Sequence, residues 1–198
     1  MILSKADLSE YIRMDMQASR IKHSCRIKQK LGNVLCPSIA EFTLCLRKLE
    51  YMQNCRRRNI LENIIFVIRY KRFVAYGYKL GFTIPLNVCG TGLCLGHVGT
   101  VIINEHARIG RNARICAGVN IGNSAPLGEG HVDDNVPIIG DNVYIGPGAK
   151  LFGRIHIGNN VRIGANAVVN KDVPDNVTVA GVPARIVSHH GSHHGLEI

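Results

Sequence analysis

Nine histidines are the side chains of this 198-residue chain best suited to moving a proton near neutral pH, and their settings differ. His97 stands in Leu95-Gly96-His97-Val98-Gly99 and is the one histidine inside the glycine-rich stretch that opens the second half of the chain. An imidazole within hydrogen-bond reach of an alcohol can take its proton as the oxygen attacks a carbonyl, which makes His97 a candidate general base. Taken alone, a lone histidine is more often a satisfied turn or core residue. His131 lies in Asn123-Ser124-Ala125-Pro126-Leu127-Gly128-Glu129-Gly130-His131, with Asp133, Asp134 and Asn135 just after it. His106 and His156 read as surface residues, and His23 sits in a basic stretch. His189, His190, His193 and His194 form HHGSHH, which could hold a metal but has no folded frame. The seven cysteines are odd in number and show no CxxC spacing, so they read as reduced structural thiols. No metal is expected.

The elements that must position these groups fall into two regimes. Residues 1–80 carry sixteen Lys/Arg against six Asp/Glu, while residues 81–198 carry eight of each, so the whole net charge of +10 sits in the first part. Glycine divides the other way: only Gly32 and Gly77 precede residue 81. From there aliphatic residues recur every six positions: Ile103, Ile109, Ile115, Ile121, Ile139, Ile145, Leu151, Ile157, Ile163 and Val169. The following residue is often glycine, and the fourth after it is small or aliphatic. A period of six fits neither a helix at 3.6 nor a long alternating strand at 2. It fits a short strand and a turn, three of which close one coil of a parallel β-helix, with each aliphatic stacked on its equivalent one coil away. The segment 123–137 interrupts the ladder, placing Asp133 where an inward aliphatic belongs, and reads as a loop thrown out from the prism. Long loops on compact scaffolds are usually functional.

Residues 1–80 read as helical. Ser4 or Asp7 caps a helix through Leu8, Tyr11, Ile12 and Met16, and Pro37-Ser38 starts one whose stripe is Ile39, Phe42, Leu46, Leu49 and Met52. A third begins near Asn59 with the stripe Ile60, Ile64, Val67, Val74 and Tyr78. Arg56-Arg57-Arg58 lies between the last two. No nucleic-acid recognition motif or tryptophan accompanies it, so the basic surface reads as solvated, partner-facing or membrane-facing, not as a nucleic-acid site. No apolar run approaches a membrane span and the N-terminus lacks an export signal, so a cytoplasmic protein is expected. The expected organisation is a basic helical region over 1–80, a β-helix over 81–187 and a flexible tail over 188–198.

The hexads, with Val169-Asn170-Lys171-Asp172-Val173-Pro174 and Ala180-Gly181-Val182-Pro183-Ala184-Arg185, closely resemble the hexapeptide-repeat acyltransferases. The segment Leu95-Gly96-His97 through Gly99-Thr100-Val101 to Ile109-Gly110, behind basic helices, resembles the serine acetyltransferase branch, and within it homologues associated with surface-polysaccharide genes. The resemblance implies a left-handed coil, an exception to the usual right-handed crossover. It also implies a homotrimer, with a dimer of trimers as the larger alternative, whose active sites lie between subunits, and acetyl-CoA as co-substrate along the prism edge. His97 takes the place of the family's catalytic histidine. The second active-site histidine normally precedes the proline before the next hexad; here that residue is Val136, and His131 could replace it from the loop. The resemblance places acetyl-CoA against Gly146, Gly148, Ala149, Gly164 and Ala165, its phosphates near Lys171 and Arg185, and its adenine end near Asn170 and Pro183.

Three departures bear on the acceptor. The family's acidic residue before the catalytic histidine is Gly96, its arginine before the loop histidine is Asn135, and by spacing its orienting aspartate is Phe82. Those charges suit a zwitterion, so their loss points to a neutral polyol, a sugar or polysaccharide hydroxyl, with L-serine of cysteine biosynthesis as the alternative. Asp133 and Asp134 could rebuild part of an ammonium site. A non-catalytic trimeric scaffold is the competing reading from another class. Docking of the terminal Ile198 into a cysteine synthase is a further expectation that the resemblance suggests.

Overall fold

The computed structural model of the chain describes residues 1–19, 38–56, 59–124 and 135–191. Three helices come first: α1 (Lys5–Ala18), α2 (Ile39–Cys55) and α3 (Ile60–Leu80). Each starts on a side chain that accepts from an otherwise unpaired N–H of the first turn: Ser4 from Asp7, Ser38 from Glu41 and Asn59 from Glu62. At Ser38 the Glu41 carboxylate reaches back to the Ser38 N–H, completing a capping box. α3 ends at Gly81, whose φ of 81° is the left-handed conformation that lets the chain turn into the coil.

The remainder is a left-handed parallel β-helix of three faces. The first face holds β1 (Phe82–Thr83), β3 (Val101–Ile103), β6 (Asn120–Gly122), β9 (Lys150–Phe152) and β12 (Val168–Val169). The second holds β4 (Arg108–Ile109), β7 (Ile138–Ile139) and β10 (His156–Ile157). The third holds β2 (Cys94–Leu95), β5 (Arg114–Ile115), β8 (Tyr144–Ile145), β11 (Arg162–Ile163) and β13 (Thr178–Ala180). β14 (Arg185–Ser188) closes the third face antiparallel to β13. All ten hexad aliphatics are buried, in three columns: Ile103-Ile121-Leu151-Val169, Ile109-Ile139-Ile157 and Ile115-Ile145-Ile163.

The hexad glycine has a steric cause in the second-to-third edge. A Cβ on Gly140 would stand 2.7 Å from Asn159 Oδ1, because that amide oxygen sits there to accept from the Asp141 N–H at 2.8 Å. Asparagines turn the same edge in left-handed conformations, and their amides form a ladder: Asn112 donates to Asn142, Asn142 to Asn160 and Asn160 to Asn176, at 2.8–3.0 Å.

Helices and prism share one core. Phe42 of α2 stacks on Phe73 of α3 at 4.8 Å between centroids and meets the edge of Phe82 in β1 at 5.2 Å. The stripe read along α2 is buried at Phe42, Leu46 and Leu49. Of that read along α3 only Val74 packs against the core: Ile60, Ile64, Val67 and Tyr78 are exposed, and Phe73, Gly77 and Leu80 face the core instead. Helical spacing alone does not distinguish a stripe that meets the core from one that faces outward.

A buried ionic cluster bolts the helices to the first coil. The Arg47 guanidinium of α2 uses all five of its N–H groups. Nε donates to Asp15 of α1 at 2.7 Å, and Nη1 donates to Glu50 and to the Cys89 carbonyl, both at 2.9 Å. Nη2 donates to the Gly90 carbonyl at 2.6 Å and to Asp15 at 3.4 Å. The carboxylates also grip the coil, Asp15 accepting from the Leu93 N–H and Glu50 from the Asn87 N–H, each at 2.8 Å. Burial opposes the charge on Arg47, but Glu50 and Asp15 outweigh it and hold the group more firmly protonated than an ordinary arginine.

The chain stays ordered past the expected start of the tail. Ser188 ends β14, and the Thr178 hydroxyl donates to the His190 carbonyl at 2.6 Å. His193, His194 and Ile198 lie outside the described residues.

Candidate active site

His97 lies on the turn between β2 of the third face and β3 of the first. One coil on, the equivalent turn runs from Ile115 to Ile121, six residues. Leu95 pairs with Ile115 and Ile103 with Ile121, so the His97 turn runs from 95 to 103, eight residues, two more than the ordinary hexad. The added length carries His97 and Val98 outward, and both are exposed. The base of the turn is held by the end of α3: the Gly99 N–H donates to the Leu80 carbonyl at 3.0 Å and the Val101 N–H to the Gly81 carbonyl at 2.9 Å. Gly99 has φ 144°, and a Cβ on Gly81 would stand 2.8 Å from the Gly99 carbonyl carbon, so helix end and turn are fitted to one another.

Beneath the turn, the Gly96 N–H donates to the Ile115 carbonyl at 3.0 Å. A Cβ on Gly96 would meet Cys116 Sγ at 3.8 Å, ordinary contact, so packing does not require glycine there. The Cys116 thiol lies 3.6 Å from the Tyr144 hydroxyl, and that hydrogen bond, with burial, raises the Tyr144 pKa. Phe82, at the spacing of the family's orienting aspartate, points into the core and is 4 % exposed.

The other expected site residues divide between two edges. Gly146, Gly148, Ala149, Gly164 and Ala165 lie on the third-to-first edge, the edge of His97, two and three coils further along, about 10 and 14 Å away along the axis. Ala165 is exposed there. Ala149 departs from the expectation of a groove-lining residue: its methyl is fully buried, its N–H bonds Gly146 and its carbonyl bonds Asn120, because it holds the inward small position of its hexad. Pro183 and Arg185, both exposed, flank the turn from β13 into β14. Asn170 and Lys171 lie on the first-to-second edge, beyond β12, as do the described ends of the β6–β7 connection, Ser124 and Asn135. One chain therefore does not bring His97 together with Lys171.

His131, Asp133 and Asp134 lie outside the described residues. Asn135 braces the base of the loop, its amide donating to the Ser124 hydroxyl at 3.1 Å and its amide oxygen accepting from the Arg154 N–H at 2.8 Å. Among the described residues no three His, Cys, Asp or Glu side chains cluster as metal ligands. Sequence reading missed the lengthened turn, although the distance from Leu95 to Ile103 carried the signal. It also missed Arg47, which has no local signature.

Residues 137–171 match the bacterial transferase hexapeptide family (six repeats). A serine acetyltransferase of Mycobacterium tuberculosis is 42 % identical over 103 residues, 52 % of this chain and 43 % of that protein. The crystal structure of Neisseria gonorrhoeae serine acetyltransferase in complex with serine superposes with a TM-score of 0.68 at 30 % identity, covering 94 % of this chain and 71 % of that one. The chain belongs to the hexapeptide-repeat acyltransferases, on the serine acetyltransferase branch. Another serine acetyltransferase-type structure, from Brucella abortus in complex with coenzyme A, gives a TM-score of 0.67 at 28 % identity over 96 % of this chain and 71 % of that one. The chain spans less than half the length of the sequence relatives it matches.

Proposed function

We propose that the chain is an O-acetyltransferase that moves the acetyl group of acetyl-CoA to the hydroxyl of L-serine, acting as a trimer with sites between subunits. The observation that carries this is His97, exposed on a turn two residues longer than its neighbours, at the foot of an edge lined by Gly148 and Ala165. His97 takes the hydroxyl proton as the serine oxygen attacks the thioester carbonyl; the C–S bond breaks, and the same imidazole returns the proton to the departing thiolate. Small residues along the edge let the pantetheine arm lie against backbone, and the edge that bears Lys171 supplies a cation for phosphate from the neighbouring prism. Serine is preferred to the saccharide acceptor because the relatives matched in both sequence and structure are serine acetyltransferases, one of them in complex with serine.

A second reading keeps the sugar hydroxyl. It rests on Gly96 and Phe82, which leave this stretch without the two carboxylates that the family uses at these positions.

The deciding experiment follows release of free thiol from acetyl-CoA with L-serine and, separately, with a panel of sugars and oligosaccharides. Serine turnover, lost by about 10²–10⁴-fold in His97→Ala, is the expected result. Turnover of sugars alone selects the second reading. Turnover unchanged in His97→Ala refutes the assignment of His97, and no turnover of any acceptor leaves the scaffold reading standing.

A further inference from the structure

The face of α3 that meets neither α2 nor the prism is unusually apolar for a solvent-facing helix. Ile60, Leu61, Ile64, Ile65, Val67 and Ile68 are all exposed, Ile60 by 81 % and Leu61 by 67 %. At 100° per residue they fall on one side of the helix, and Lys71 and Lys79 continue the same side toward its C-terminal end. Arg56, Arg57 and Arg58 precede the helix in the sequence, and the Arg56 guanidinium lies over the Phe66 ring at 4.0 Å, on the core side. Residues 56–80 hold seven Lys/Arg and one acidic residue, Glu62, a net +6.

An exposed apolar patch of this size marks a contact surface. Its charge identifies the occupant. A second copy of this chain would bring one +6 segment against another, whereas an anionic surface neutralises both. The pattern of aliphatic side chains on one face with lysine and arginine at its borders is that of a helix lying in a membrane interface. Among the described residues no helix is long and apolar enough to cross a membrane, so the contact is peripheral.

We propose that α3 docks the protein on an anionic lipid surface, its Ile60–Ile68 stripe entering the acyl boundary and Lys71, Arg72 and Lys79 meeting the lipid phosphates. This does not depend on the acetyl-transfer reading.

The test is co-sedimentation of the full chain with vesicles of phosphatidylcholine and with vesicles in which roughly a third of the lipid is phosphatidylglycerol. Binding is expected to the second only, and to fall as salt is raised. Lys71→Gln/Arg72→Gln should weaken it by about thirtyfold, since each cation near an anionic surface is worth about a factor of five. Ile64→Asp/Ile68→Asp should abolish it while leaving the circular dichroism, thermal unfolding and oligomeric state of the chain unchanged. No binding to either vesicle, or equal binding to both, overturns the proposal. So does a smaller assembly in well-folded Ile64→Asp/Ile68→Asp, which would assign the stripe to contact between copies.

Discussion

Replacing Arg47 by methionine isolates the bolt between helices and prism, because it keeps much of the side chain's bulk and removes all five N–H donors. Asp15 is 3 % exposed and Glu50 1 %, so two carboxylates would be left buried without their counter-charge, and the Cys89 and Gly90 carbonyls would lose a donor. Breaking a buried ion pair from one side costs about 3–5 kcal/mol, a large share of the ~5–15 kcal/mol that stabilises a domain. The triple variant Asp15→Asn/Arg47→Met/Glu50→Gln separates charge from geometry. Its amide oxygens can still accept from the Leu93 and Asn87 N–H groups, but no charge is stranded. It should recover roughly half of the loss. Urea unfolding followed by far-ultraviolet circular dichroism, at fixed protein concentration and with the m-value compared, measures both variants. A loss below about 1 kcal/mol for Arg47→Met, or a triple variant no more stable than the single, would falsify the account of the cluster as a charge-satisfied joint.

Gly81→Ala places a Cβ in the left-handed region and against the Gly99 carbonyl, so it should destabilise by about 1–2 kcal/mol and lower the midpoint by several degrees, whereas Gly96→Ala, with room at 3.8 Å, should leave the midpoint unchanged. Differential scanning calorimetry of the two checks this; equal midpoints would refute the fitted joint between α3 and the His97 turn. Burial pushes the Cys89 thiol up to about 12 from the ordinary 9.0. The folded state thus favours the neutral thiol, and this contribution is fully present below pH 9.0 and lost as pH rises toward about 12. Wild type should lose stability over that window with a slope of up to about 1.4 kcal/mol per pH unit from this group, and Cys89→Ala should flatten the slope. Identical pH profiles would refute it.

The sequence by itself determined the prism. An aliphatic every sixth residue is a local property repeated ten times, and each repeat needs only its own strand and turn to be satisfied before stacking buries it. The interruption between Ile121 and Ile139, and His97 as the histidine of a glycine-rich turn, were legible for the same reason. Other features depend on partners far away in the chain. The eight-residue His97 turn exists only relative to the coil beside it, through the pairing of Leu95 with Ile115 and Ile103 with Ile121. Arg47 meets Asp15 across 32 residues and Gly90 across 43, distances no periodicity reaches. The two apolar sides of α3 look alike in sequence; only packing decides that Phe73 and Leu80 enter the core and Ile60, Ile64 and Ile68 remain outside, because a helix of this width can present only one side to the prism.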